Sequence, residues 1–203
     1  SGGRGALTAS SRGKTQTDAL YLEDAVRLAP ELSLTLGVRQ EHWRAFDGLN
    51  YSLAPALSVR QPKLSADRTS PKAVLAWTPD ADWRVTASIG RAYRFPTVSE
   101  LYQAVTTGPI LSVPNPKLAP ERALSSELSA ERYWSSGSLR VSLFDEHVHN
   151  ALISQTGTLN NLPVSFVQNV DRTRSTGVEV VGDQRDLIIP GLELSGWATY
   201  LDT

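Results

Sequence analysis

Stretches of this chain alternate apolar and polar residues one by one, and the breaks between them alternate short and long. In Ser33–Arg39, Leu34, Leu36 and Val38 share one face while Ser33, Thr35, Gly37 and Arg39 share the other. Trp83–Gly90 repeats the pattern with Trp83, Val85, Ala87 and Ile89 on its apolar side, and Leu139–Leu143, Ser175–Val180 and Leu192–Gly196 repeat it again. A period of two is that of a β-strand with one apolar face. Short breaks fall at 29–31, 79–82, 135–137 and 189–191, and all carry the Pro, Gly, Asp or Ser that tight turns favour. Longer ones fall at 47–66, 95–120 and 156–163. The order predicts four hairpins and about eight antiparallel strands, near 15–28, 32–46, 67–78, 83–94, 121–134, 138–155, 164–185 and 192–203.

Several of these strands exceed the usual length of about five or six residues. Tilted strands of about ten residues, with tight turns at one rim and longer loops at the other, are the arrangement of a transmembrane β-barrel. Aromatic residues gather at both strand ends. Trp77, Trp83, Tyr133 and Trp134 lie by the short turns; Trp43, Phe46, Tyr93 and Phe95 lie at the opposite ends. Two aromatic girdles predict this, as do cross-strand aromatic pairs beside hairpins. Arg39, Arg84, Arg140 and Glu179 oppose the apolar faces. They would line a wet lumen in a barrel and meet bulk solvent in a sandwich, and the pattern alone reads the same for both.

Composition removes other classes. A net charge of −1 leaves no nucleic-acid footprint, and the absence of cysteine leaves no disulfide framework or thiolate metal site. No run approaches the ~18 apolar residues of a transmembrane helix. The chain has no methionine and no apolar leader in SGGRGALTASS, so it is expected to be processed or cut from something longer. His147 and His149 stand at i and i+2 without a third metal ligand, and Glu127 and Glu131 share a face without forming a recognisable acid–base pair. Neither a nucleophile elbow, a phosphate loop nor HExxH is present, so no enzyme is expected.

One stretch is distinctive. GRAYRFPTVSELY, Gly90–Tyr102, begins as a strand, meets Pro96 and ends in a helical pattern. Pro96 cannot donate to a ladder and holds Phe95 extended, while Thr97 or Ser99 can cap a turn with Glu100 in its first positions. Arg91 and Arg94 are expected to reach acidic groups on the neighbouring rim, such as Glu121. The stretch resembles the R-x-F-R-x-P-t-x-x-E-L-Y segment of TonB-dependent outer-membrane receptors. Asn115–Glu121 is similar to that family's N-P-x-L-x-P-E, and Ser126–Glu131 to its x-E-L-G-x-E with Ser129 in place of Gly. Val141–Phe144 with Ala151–Ile153, Gln168–Val170 with Ser175–Glu179, Pro190–Leu192 with Tyr200–Thr203, and Asp18–Asp24 resemble further segments in family order, so the likeness covers roughly residues 18–203.

The resemblance implies part of an outer-membrane barrel of about 22 strands. No segment resembles the family's plug domain or TonB box, so residues 1–203 are expected to be an internal portion of the barrel. The implied function is active uptake of a scarce solute, with a ferric siderophore as the first expectation. The implied partners are outer-membrane lipid, an extracellular small-molecule ligand, and the TonB system through the plug domain; no cofactor is implied. Arg91, Arg94, Tyr102 and Gln103 are the candidate ligand contacts at loop and rim. A passive porin-like barrel and a soluble β-sandwich binding module are the alternatives.

Overall fold

The computed structural model describes residues 8–53, 56–103, 105–107 and 110–203. Its strands are β1 (Ala9–Ala29), β2 (Leu32–Leu53), β3 (Ala56–Arg60), β4 (Leu64–Trp77), β5 (Trp83–Arg94), β6 (Val105–Thr107), β7 (Ile110–Val113), β8 (Glu121–Trp134), β9 (Gly137–Leu159), β10 (Leu162–Arg185) and β11 (Glu193–Asp202), with one short helix, α1 (Val98–Tyr102). All strands join one sheet in the order β1-β2-β4-β5-β8-β9-β10, with β3 on the upper end of β2. The far edge of β10 is divided: its lower half pairs antiparallel with β11, and Val164–Phe166 pair parallel with β7. The long strands therefore run up and down as nearest neighbours, as the hairpin pattern predicts.

Alternation assigns the two faces. Leu36, Ile89 and Leu143 lie on the outer face and are each about half exposed, at 50%, 52% and 50%. The inner face is polar. Glu23, Gly37, Lys72, Gly90, Ser125, Glu146 and Ser175 stand side by side in one ladder row across seven strands. Within it Lys72 forms an ion pair with Glu23, and Ser125 donates to Glu146 at 2.8 Å. Arg140 and Glu179 pair on the same face.

That row also reveals the strand tilt. Rising from the short turns, the aliphatic band of the outer face ends at Leu20 on β1, three positions above the row, with Asp24 inside it. It ends at Val38 on β2, one above, and at Ile89 on β5, one below; on β9 and β10 it ends at Leu143 and Val178, three below, and apolar residues higher up, such as Phe46, Tyr93 and Val170, stand apart beyond polar positions. On β8 the margin is blurred, where Ser126 lies between Leu124 and Leu128. A level margin thus drops by six residues over six strand spacings. At ~3.3 Å per residue and ~4.8 Å per spacing this is a tilt of about 35°, the inclination of strands in a closed barrel.

Three expectations change. The stretch 156–163 is no long loop: β9 and β10 continue into a hairpin whose turn, Asn160 and Asn161, has φ of 50° and 64°. Two successive left-handed residues are what a two-residue hairpin turn demands, and asparagine tolerates them. The stretch 47–66 is largely strand as well, since β2 runs to Leu53 and turns back as β3. A bulge opens it: Gly13 faces both Asp47 and Gly48, Asp47 has φ 56°, and the face of β2 flips there. The upper aromatic band divides in two. Phe46 and Tyr93 fall on the outer parity, but Trp43 is buried on the inner face and stacks on Phe95 at 5.5 Å. At the opposite rim Trp77, Trp83 and Trp134 are on the outer face, as a girdle requires, while Tyr133 points inward by parity.

Candidate functional site

The long connection from β5 to β8 folds into the mouth of the curved sheet. Its core comprises Trp43 and Ala45 of β2, Leu101 and Tyr102 of α1, and Leu118, with Leu64, Ala66, Phe95, Leu152 and Val167 packed against it. β2 and β4 touch this cluster from one side and β9 and β10 from the other. The sheet must therefore wrap around it.

Local chemistry explains how the segment enters. Pro96, fully buried, ends the β5 ladder as its missing N–H dictates. Thr97 then caps α1: its hydroxyl accepts from the Glu100 N–H at 3.3 Å, and Glu100 Oε2 accepts from the Thr97 N–H at 2.8 Å. Arg94 donates to the other Glu100 oxygen at 2.5 Å. Burial pushes the Glu100 carboxyl up, but the Thr97 amide, the Arg94 guanidinium and the Thr97 hydroxyl together hold it below its usual value.

Tyr102 is the anchor. A side chain on Gly13 would put its Cβ 2.4 Å from the Tyr102 ring, and one on Gly48 would put it 3.0 Å away. The ring fits only because both positions lack a Cβ. Its hydroxyl donates to the Pro62 carbonyl at 2.8 Å, and its own carbonyl accepts from Asn50 Nδ2 at 2.7 Å. Asn50 also donates to Ser11 and accepts from Gln61, so one buried amide ties β1, β2, α1 and the link after β3 together. Burial raises the Tyr102 phenol above its usual pKa.

The returning limb is clipped equally firmly. The Asn115 N–H donates to the Glu100 carbonyl at 2.7 Å, and its side-chain amide to the Val167 carbonyl at 3.2 Å. Asn169 accepts from the Ala119 N–H at 2.9 Å and donates to the carbonyls of Ala119 and Asn150 at 3.0 and 2.8 Å. Asn150, at φ 53°, marks a local irregularity in β9 that interrupts the β9–β10 pairing between His149 and Ala151 without shifting its register.

The four candidate contacts therefore fall in different places. Arg94 pairs with Glu100 and not with Glu121, whose carboxylate instead accepts from the Leu152 N–H at 2.7 Å. Arg91 shares the outer-face parity of Ile89. Tyr102 is enclosed, and Gln103 caps the C-terminal end of α1 half-buried, with its N–H on the Ser99 carbonyl. Asn50, Gln61, Gly13 and Gly48 are residues that sequence reasoning missed; only the Asp47-Gly48 pair carries a local signal, that of a bend. Among the described residues no cluster of His, Asp and Glu is arranged to hold a metal ion. No helix among them is long and apolar enough to cross a membrane.

A curved antiparallel sheet, apolar outside above a tryptophan margin and charged inside, with tilted strands and a loop packed into its mouth, is the wall of a transmembrane β-barrel. The chain belongs to the TonB-dependent receptor family: the family model described as TonB dependent receptor-like, beta-barrel matches residues 1–203. Its fold is similar to that of the FrpB iron transporter from Neisseria meningitidis, at 17% identity and a TM-score of 0.65 over 93% of this chain and 26% of that one. It is similar to the copper transporter OprC, at 15% identity and a TM-score of 0.74 over 93% and 29%. The hemophore receptor HasR of Serratia marcescens aligns at 17% identity and a TM-score of 0.73 over 94% and 34%. The chain thus spans between a quarter and about a third of these proteins. No curated protein sequence matches it.

Proposed function

We propose that residues 1–203 are barrel wall from an outer-membrane receptor of a Gram-negative bacterium, one that takes up a scarce solute with energy delivered through TonB. The observation that carries this reading is the pairing of a lipid-compatible outer face with a loop segment, α1 and its flanks, packed into the mouth. Family membership and the iron, copper and hemophore proteins of similar fold support it. A ferric siderophore is the first solute to test. The wall binds and guides, and no bond is made or broken on it. A plug domain from the same receptor is the moving part in this reading and its contact with TonB. Solute contact narrows to Arg94 and Gln103, because Tyr102 is enclosed and Arg91 lies on the outer parity.

The test is uptake by cells that depend on the whole receptor, with labelled ferric siderophores and with TonB present or deleted. Uptake that disappears with TonB fits the proposal. Uptake that persists undiminished without TonB would identify a passive channel and overturn it.

A further inference from the structure

At the rim of short turns, the connection from β10 to β11 differs from the others. Pro30-Glu31, Pro79–Asp82 and Ser135-Ser136 carry carboxylates or hydroxyls, whereas this one reads Asp186-Leu187-Ile188-Ile189-Pro190-Gly191. Leu187, Ile188 and Ile189 are exposed in succession, at 58%, 77% and 62%. The loop is nonetheless closed at its neck, where Asp186 and Gly191 are both left-handed, with φ of 57° and 86°. The Gly191 N–H donates to Asp186 Oδ1 at 2.6 Å, the Asp186 N–H to the Leu192 carbonyl at 2.8 Å, and the Leu192 N–H to the Ile189 carbonyl at 3.0 Å. Polar groups are satisfied at the neck, and aliphatic side chains are left at the tip.

Register fixes the depth of this loop. Trp134, Gly137, Gln184 and Leu194 share one ladder row on the outer face, and the Trp134 indole donates to Gln184 at 2.7 Å across Gly137. The apolar margin descends by one residue per strand. The level of Trp134 therefore meets β10, two strands along, two residues below Gln184 at Asp186, and β11, three strands along, three residues below Leu194 at Gly191. The neck leaves the wall at the depth of the tryptophans, which mark the membrane surface. The two faces beside it differ. Toward the lipid, Gln184, Gly182 and Val180 of β10 and Leu194, Gly196 and Ala198 of β11 lead from the loop to the aliphatic band without a charge. Toward the lumen stand Arg185 and Glu193.

We propose that Leu187, Ile188 and Ile189 seat this loop in the lipid surface beside the short-turn rim, as an interfacial anchor whose occupant is the acyl-chain boundary of the surrounding leaflet. The inference rests on the membrane-wall reading above. Three observations commit it to lipid. The neck lies at tryptophan depth, the outward path to the aliphatic band carries no charge, and the tip offers hydrocarbon with no polar group to recognise anything else. Folded inward, the same side chains would meet Arg185 and Glu193. Seated outward, they fix the height of the β10–β11 hairpin in the membrane.

The test uses the whole receptor, free of other accessible cysteines, in bilayers of phosphatidylcholine. Residues 1–203 contain no cysteine, so a nitroxide label can be placed through Ile188→Cys, Ala81→Cys or Val141→Cys. Collisions of the label with oxygen, which enters lipid, are compared with collisions with a water-soluble nickel chelate. The label at 188 should favour oxygen, as should that at 141 in the lipid-facing band. The label at 81, in a polar turn of the same rim, should favour nickel. Burial favours the seated loop roughly tenfold per aliphatic side chain, so L187S/I189S should lower the seated-to-free ratio at 188 about a hundredfold and raise its nickel collisions. A label at 188 that reads like the one at 81 in pure lipid overturns the anchor. A label at 188 shielded only in native outer membranes assigns the loop to a protein partner and overturns lipid as the occupant. Unchanged collisions in L187S/I189S overturn the role of the aliphatic side chains. A label at 141 that meets nickel and not oxygen overturns the membrane-wall reading itself.

Discussion

Tyr102 donates its hydroxyl to the carbonyl of Pro62, 40 residues away in sequence, at 2.8 Å. The contact joins the end of a five-residue helix to the link between β3 and β4. A helix that short has no stability of its own, so tertiary contacts of this kind hold α1 in place.

Those contacts can be weakened by degrees. Tyr102→Phe loses one partly buried hydrogen bond and should destabilise the loop by about 0.5–1.5 kcal/mol. Tyr102→Ala removes a fully buried aromatic ring and should cost about 3–5 kcal/mol locally. Gly13→Ala, whose Cβ would come within 2.4 Å of the ring, should expel it at about 1–3 kcal/mol, the usual cost of overpacking. Hydrogen exchange of the amides of 97–103 in the intact receptor would rank them; equal exchange in Tyr102→Phe and Tyr102→Ala would contradict the anchoring role.

Glu100 should make the loop sensitive to acid. Its folded pKa is depressed from 4.5, so its contribution is complete above that value and is lost as pH falls through the lower, folded value. Between pH 8 and 5 protease resistance of residues 95–120 should stay level, and below about pH 4 it should fall. Glu100→Gln should lack this step, and a wild type that loosens already between pH 7 and 6 would show that another group controls the loop.

The Asn169 side chain satisfies three backbone groups at once. Asn169→Ala should strand them and free the returning limb, at about 1–3 kcal/mol for each group left dry. Asn169→Asp keeps the acceptor for Ala119 but loses both donated bonds, so it should be intermediate or worse. Limited proteolysis at 114–120 reads the effect, while the melting of the wall as a whole should move far less.

The two faces of the wall should tolerate charge unequally. Val141→Arg places a guanidinium in the middle of the lipid-facing band of β9 and should cost about 2–4 kcal/mol. Ser88→Arg points into the wet interior and should assemble normally. Ser142 is a poor control although it too points inward, because it is only 3% exposed and has no room for a long side chain. Comparable heat-modifiable assembly of Val141→Arg and Ser88→Arg receptors would refute the assignment of faces.

Strand identity, pairing order and face were legible because period two and turn residues are local signals. Val85 and Ser88 could be placed on opposite faces before any contact was known. A cap at Thr97 or Ser99 was legible for the same reason, and the structure selects Thr97, with Glu100 reciprocating. What escaped was everything decided by the wall curling onto its own loop. Trp43 reads as an interfacial aromatic from its place near a strand end, yet its parity sets it inside, where Leu101, Leu118 and Phe95 exclude water from it. Arg94 faced two acids in the sequence, Glu100 and Glu121, and only the fold of 95–102 decides between them. Asn160-Asn161 was readable as a hairpin turn; the surrounding polar residues suggested a longer loop instead. Gly13 has no local reason to be glycine, and Gly48 has only the bend after Asp47. Their reason is a ring that arrives from 54 to 89 positions downstream.

The descending margin between apolar and polar positions constrains how such a wall can drift in length. Two residues gained inside a strand, below the margin, would slide the rest of that strand up by about 7 Å and carry oily positions out of the bilayer there. The same two residues gained at Asn160 would lengthen a hairpin already clear of hydrocarbon. Evolutionary tinkering is thereby steered to the crest of the barrel.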